Sequence, residues 1–229
     1  MRIKEFIIRT NKDFENLKDV KKNLYIFDAV LIIIYTERIE EDSLISLLKK
    51  DEICKSQDYK SKVAKINFLV SRSVLNLSLK YISGKEVDDL IILRNKFNKP
   101  YFENKKGIKF NISHTDGCIV IAFSKKDVGV DVEKINVKFN YYDILKSCFD
   151  EEEIKRVGSN HKSFFKYWTA KEAYLKYEGV GLLRNLKEIR IEYINNVKAE
   201  IKDKKRNKSK ELLVLKFDSK YTGFICLGR

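Results

Sequence analysis

Between residues 61 and 83, Val63, Ile66, Val70, Val74 and Leu77 recur at steps of three and four, and Gly84 follows. That spacing lays one apolar stripe along a helix, and a glycine is expected just past a helix end. A helix this long with one apolar face needs a broad apolar partner. The neighbouring segments 25–35, 90–93, 108–112 and 118–123 read as strands that can supply it, and 40–50 carries helical spacing. A second block has the same character. A strand is expected at 128–133, helices at 138–149, 151–157 and 163–178, and strands at 189–194, 198–201, 212–217 and 223–227. Gly179 and Gly181 stand just past the 163–178 helix, and the basic run KDKKRNKSK at 202–210 reads as a solvated hairpin loop. Helices followed by strands in each block predict an α+β fold with halves at 1–125 and 126–229.

Composition narrows the function classes. The chain has 229 residues, 44% of them hydrophobic and 12% aromatic, enough to bury a sizeable core and too apolar for wholesale disorder. The longest apolar run, 29–35, is far shorter than the roughly 20 residues of a membrane-spanning helix. The first residues, MRIKEFIIRTNKDF, lack a sustained apolar stretch and a cleavage site, so no secretory signal is expected. Cys54, Cys118, Cys148 and Cys226 are widely separated, as free thiols of a cytoplasmic protein would be. Two histidines cannot build a His-rich metal site. The formal net charge of +14 calls for an anionic partner without saying which kind.

Three segments carry chemistry. In DVGVDVE, 127–133, Val128, Val130 and Val132 alternate with Gly129, Asp131 and Glu133. On a strand the valines face one side and both carboxylates the other. Their mutual repulsion is relieved by a divalent cation, Mg²⁺ being the natural one for oxygen ligands, or by basic neighbours; a solvated acidic strand face is the plainer alternative. In WTAKEAYLK, 168–176, Trp168, Glu172 and Lys176 line one helix face with Lys171 beside them. Glu172 can add a third carboxylate and the lysines can offset phosphate charge; the alternative is an exposed Glu–Lys pair with a core tryptophan. In FNISHT, 110–115, Ser113 and His114 sit at a strand tip, where His114 can bind phosphate, act as a base, or be an isolated histidine. His161, in a polar stretch, reads as a loop residue.

Taken in order, FNISHT, GVDVE and WTAKEAYLKYEGVGL closely resemble the Sfp-type family of 4′-phosphopantetheinyl transferases, from about residue 99 to 183. The resemblance implies two similar α+β halves related by a pseudo-two-fold axis in one monomer. It also implies transfer of the 4′-phosphopantetheine arm of coenzyme A to a serine of an acyl or peptidyl carrier protein, with Mg²⁺ bound and adenosine 3′,5′-bisphosphate released. Asp131, Glu133 and Glu172 match the family's metal-coordinating acids. Ser113 and His114 match residues near the 3′-phosphate of coenzyme A. Lys171 and Lys176 match the helix lysines, with Lys176 near the pyrophosphate. Lys99, before Pro100, matches a basic residue of a Gly-Lys-Pro segment, with Asn98 in place of the glycine. Lys60, Lys62 and Lys65 are further candidates for the nucleotide. Glu172 or a metal-bound water would take the serine proton, and Glu172 and Lys176 are the expected catalytic residues. The basic charge suits steering toward an acidic carrier.

Two other classes compete. A basic nucleic-acid-binding module would use the charge and the 202–210 run, although no nucleic-acid motif is visible. A metal-dependent nuclease would need an acid-x-lysine pattern on a strand, which is missing.

Overall fold

The computed structural model describes residues 1–103, 107–180 and 184–228. The chain forms two compact units, Met1–Asn95 with Pro100–Asp127, and Lys96–Lys99 with Val128–Arg229. The main division thus falls two residues beyond the expected one, and the short segment Lys96–Lys99 joins the second unit. Each unit has a sheet and one long helix, the α+β class read from the pattern.

In the first unit, strand β1 (Ile3–Ile8) is followed by a 3₁₀ segment and helix α1 (Val20–Ile26), then strand β2 (Ala29–Tyr35). β1 pairs parallel to β2, so the intervening helical segment is a crossover connection. Helices α2 (Lys50–Ser56) and α3 (Lys62–Ser83) come next, then the short strands β3 (Ile92–Arg94) and β4 (Pro100–Phe102), and the hairpin β5 (Lys109–Thr115) and β6 (Cys118–Ser124). The main sheet has the order β1-β2-β6-β5. Val30, Ile32 and Ile34 of β2 and Ile119, Ile121 and Phe123 of β6 join Val70, Val74 and Leu75 of α3 in one core. Gly84 ends α3 with φ +81°, in the left-handed region that glycine adopts without a Cβ clash.

The second unit runs β7 (Val128–Lys134), α4 (Tyr142–Cys148), α5 (Glu151–Val157), α6 (His161–Glu178) and strands β8 (Ile189–Ile194), β9 (Lys198–Asp203), β10 (Lys208–Val214) and β11 (Tyr221–Leu227). Its sheet is antiparallel throughout, in the order β7-β11-β10-β9-β8. α6 packs on β7 and β11, and its Phe164, Ala170, Ala173 and Tyr174 share a core with Ile191, Ile201, Leu212 and Phe224. Gly179 ends α6 with φ +71°; Gly181, expected beside it, lies outside the described residues.

Several expected elements differ. The strand expected at 25–35 starts only at Ala29, because Tyr25 and Ile26 close α1. The 40–50 helix is a 3₁₀ turn, Asp42–Leu47, with α2 starting at Lys50. The break comes at Leu48 and Lys49, both extended, where the Glu52 side chain accepts the Lys49 backbone N–H and starts a new helix. The 138–149 helix shrinks to α4. The basic 202–210 run is mostly strand rather than loop. Lys202 pairs with Ser209 and Asp203 with Lys208, leaving 204–207 as the turn, with Asn207 at φ +47°. The anchor is Asp203, fully buried, which accepts from the Tyr174 hydroxyl at 2.8 Å and from both Arg184 terminal nitrogens at 2.7 and 2.8 Å. These bonds hold its carboxyl at about 2 against the cost of burial.

Candidate functional site

The acidic segment occupies β7, and its glycine sets how the site is built. An added Cβ at Gly129 would lie 2.1 Å from the Tyr177 backbone nitrogen and 2.3 Å from the Ala173 carbonyl oxygen. The Gly129 face of β7 is therefore the face that α6 touches, at a distance no side chain allows. Asp131 and Glu133 share that face by strand alternation. The valines are buried as expected, but the carboxylate face is covered by a helix instead of by solvent. Glycine in a strand interior often marks such a close approach, so the signal was present in GVDVE.

α6 brings Glu172 and Lys176 to the same place, one helical turn apart. Lys176 Nζ donates to Asp131 Oδ1 at 2.7 Å. The Glu172 carboxyl is pushed up from 4.5 to about 7, first by burial, then by the charge of Asp131, with Lys176 opposing and Glu133 adding. All four side chains thus share one electrostatic neighbourhood. Among the described residues, Glu172 Oε1 is buried without a hydrogen-bond partner. A buried carboxylate oxygen lacking a donor, in the field of two further acids, offers the oxygen chemistry that a hard divalent cation takes. Among the described residues, however, no three His, Cys, Asp or Glu side chains are gathered as a ready metal cage. The Lys176 ammonium relieves the acid repulsion, the second of the two possibilities read from the strand.

Other expected residues stand elsewhere. Lys171 is fully buried on an adjoining flank of α6, not on a surface that a substrate reaches. Its Nζ donates to Glu153 Oε2 at 2.7 Å, Cys148 O at 3.0 Å and Leu186 O at 3.1 Å, and lies over the Phe149 ring. Glu153 is also fully buried, accepts the Ile191 N–H at 2.8 Å, and completes a capping box with Asp150 at the start of α5. The expectation that Lys171 meets coenzyme A is therefore corrected. One residue is a quarter-turn or so from the next on a helix, and a hundred degrees separates Lys171 from Glu172. Lys99, expected at the nucleotide, instead donates to backbone carbonyls of β7 and α6.

Ser113 and His114 sit on β5 of the first unit, paired with Val120 and Ile119 of β6. Consecutive strand residues face opposite sides; Ser113 is buried and His114 exposed, so they do not form one tip cluster. Lys60 and Lys62 are exposed around the start of α3 and Lys65 is half-buried in its first turn.

The strand-and-helix pairing of acids lies inside a recognisable segment. Residues 127–226 match the family model of the 4′-phosphopantetheinyl transferase superfamily. This segment belongs to that superfamily. Among similar proteins, the 4′-phosphopantetheinyl transferase gsp of Aneurinibacillus migulanus is 35% identical over 103 residues, 42% of this chain and 40% of its own length. The 4′-phosphopantetheinyl transferase ffp of Bacillus subtilis is 30% identical over 152 residues, 62% of this chain and 65% of its own. The 4′-phosphopantetheinyl transferase HetI of Nostoc sp. is 27% identical over 157 residues, 65% of this chain and 66% of its own. The matches to these curated relatives therefore span between two fifths and two thirds of their length. No helix among the described residues is long and apolar enough to cross a membrane.

Proposed function

We propose that the protein is a Mg²⁺-dependent 4′-phosphopantetheinyl transferase that moves the arm of coenzyme A onto a serine hydroxyl of an acyl or peptidyl carrier protein. The observation that carries this reading is the meeting of Glu172 and Lys176 on α6 with Asp131 and Glu133 on β7, within the segment that matches the superfamily. Asp131, Glu133 and Glu172 would hold the ion, which supplies charge stabilisation and alignment at the pyrophosphate.

The chain's own groups do the rest. Lys176 exchanges its bond to Asp131 for the pyrophosphate oxygens and offsets charge on the leaving side. Glu172, one helical turn before Lys176 on the same face of α6, is placed to take the serine proton as the hydroxyl attacks the β-phosphorus. The bond from that phosphorus to the bridging oxygen breaks, and adenosine 3′,5′-bisphosphate leaves. His114, exposed on β5, and Ser113 beside it in sequence would be the residues near the 3′-phosphate. The +14 charge would steer an acidic carrier, and the protein would act as a cytoplasmic monomer. Nothing in the relatives' names favours the nucleic-acid reading.

The test is to mix the chain with coenzyme A, Mg²⁺ and a panel of apo carrier proteins and weigh each carrier. Gain of one phosphopantetheinyl group is the expected result. No gain on any carrier, with coenzyme A left intact, would overturn the reading.

A further inference from the structure

The strand that bears Asp131 and Glu133 and the helix that bears Glu172 and Lys176 must keep one spacing for the four to act together. Gly129 permits a close approach, but a permitted approach still has to be held. Lys99 spans the junction. Its Nζ donates to Val128 O of β7 at 3.0 Å and to Lys176 O of α6 at 2.6 Å, with Tyr177 O at 3.5 Å as a weaker contact. The last four carbonyls of a helix have no partner within it, and a cation there also meets the negative end of the helix dipole. One ammonium thus bonds carbonyls in the last turn of α6 and ties that turn to the residue before Gly129. A lysine has three donor hydrogens, so one ammonium can bond both elements at once.

The backbone just before Lys99 is shaped for this delivery. Asn98 has φ +67°, in the left-handed region that asparagine tolerates and most residues avoid. The four residues Lys96–Lys99 leave the first unit to pack with the second, and Pro100 returns to the first.

We propose that Lys99 is a positioning residue that clamps α6 to β7, in place of the coenzyme A contact implied by the family resemblance. The role rests on the transferase reading for its catalytic consequence, and the experiment separates the two. Lys99→Met is made in the full chain and followed by amide hydrogen exchange, by calorimetric binding of coenzyme A, and by transfer kinetics. Exchange at residues 177–179 should speed up by about ten- to a hundredfold, the equivalent of one charge-assisted hydrogen bond. The kcat should fall by about ten- to a hundredfold as the acids lose register, while the dissociation constant for coenzyme A stays within about threefold. Should Lys99→Met not fold, Asn98→Val, which keeps the ammonium and strains only the turn, is read in the same way, and Asn98→Gly should behave as the parent.

Unchanged exchange at 177–179 overturns the clamp. So does a rise of about tenfold or more in the dissociation constant, which makes Lys99 a ligand. A parent chain that neither binds coenzyme A nor modifies a carrier sinks the transferase reading, and the exchange measurement alone then decides for or against the clamp.

Discussion

Replacing Lys171 by methionine separates a structural lysine from a substrate-binding one. The ammonium and the Glu153 carboxylate are both fully buried at 2.7 Å, and the ammonium also serves two backbone carbonyls. Burial lowers the lysine's pKa and the Glu153 charge opposes that shift. Methionine keeps the volume and removes the charge, stranding Glu153 in the core. Breaking one partner of such a pair costs about 3–5 kcal/mol. With a urea m-value of about 2–3 kcal/mol/M, the unfolding midpoint should drop by about 1–2.5 M. Trp168, the only tryptophan of the chain, lies on α6 and reports the second unit's unfolding by fluorescence. Glu153→Leu added to Lys171→Met should recover a large part of the loss, because no charge then remains buried. A midpoint within about 0.2 M of the parent, together with weakened coenzyme A binding, would refute the argument and return Lys171 to the substrate.

Three further outcomes are expected. The folded-state pKa of Glu172 lies above its unfolded value, so between 4.5 and about 7 the native chain holds a proton that the unfolded chain has lost. Stability therefore falls as pH rises through that window, by about 3 kcal/mol in full, and Glu172→Gln should flatten the slope and be more stable than the parent above pH 7 in urea melts without Mg²⁺. Gly129→Ala places a methyl against backbone of α6 and should cost about 1–3 kcal/mol in the same melts while suppressing transfer; a stability equal to the parent's would mean that α6 does not sit as described. Removing divalent ions with a chelator should stop transfer and added Mg²⁺ should restore it, whereas Asp131→Ala should stay inactive at any Mg²⁺ concentration while keeping the far-ultraviolet circular dichroism of the parent.

Much of the site was legible in the letters because its geometry is local. Alternation in GVDVE puts Asp131 and Glu133 on one side of a strand whatever the rest of the chain does, and a four-residue step puts Glu172 and Lys176 on one side of a helix. The stripe ending at Gly84 likewise marked α3, since its period and its stop signal are both contained within the segment. The short helix α1 and the edge strand β1 are not legible in the letters, because neither has a period long enough to stand out. The basic run 202–210 reads as loop because charge argues for solvent, whereas Asp203 is held in the core by Arg184 and Tyr174 from distant positions.

Residue order alone thus decided the class of fold, from the succession of helices and strands, and the shared faces of Asp131 with Glu133 and of Glu172 with Lys176, from spacings within one element. It could not decide between Lys171 and Lys176, two helix lysines of equal chemistry. Their fates depend on which side of α6 lies against α5 and which against β7, and only the packed chain sets that. The first became a buried counter-ion for Glu153 and the second a partner for Asp131. Lys99 is the same lesson from a loop: a charged side chain bonds the acceptors that the fold brings within its reach, and these carbonyls lie 29 and 77 residues away.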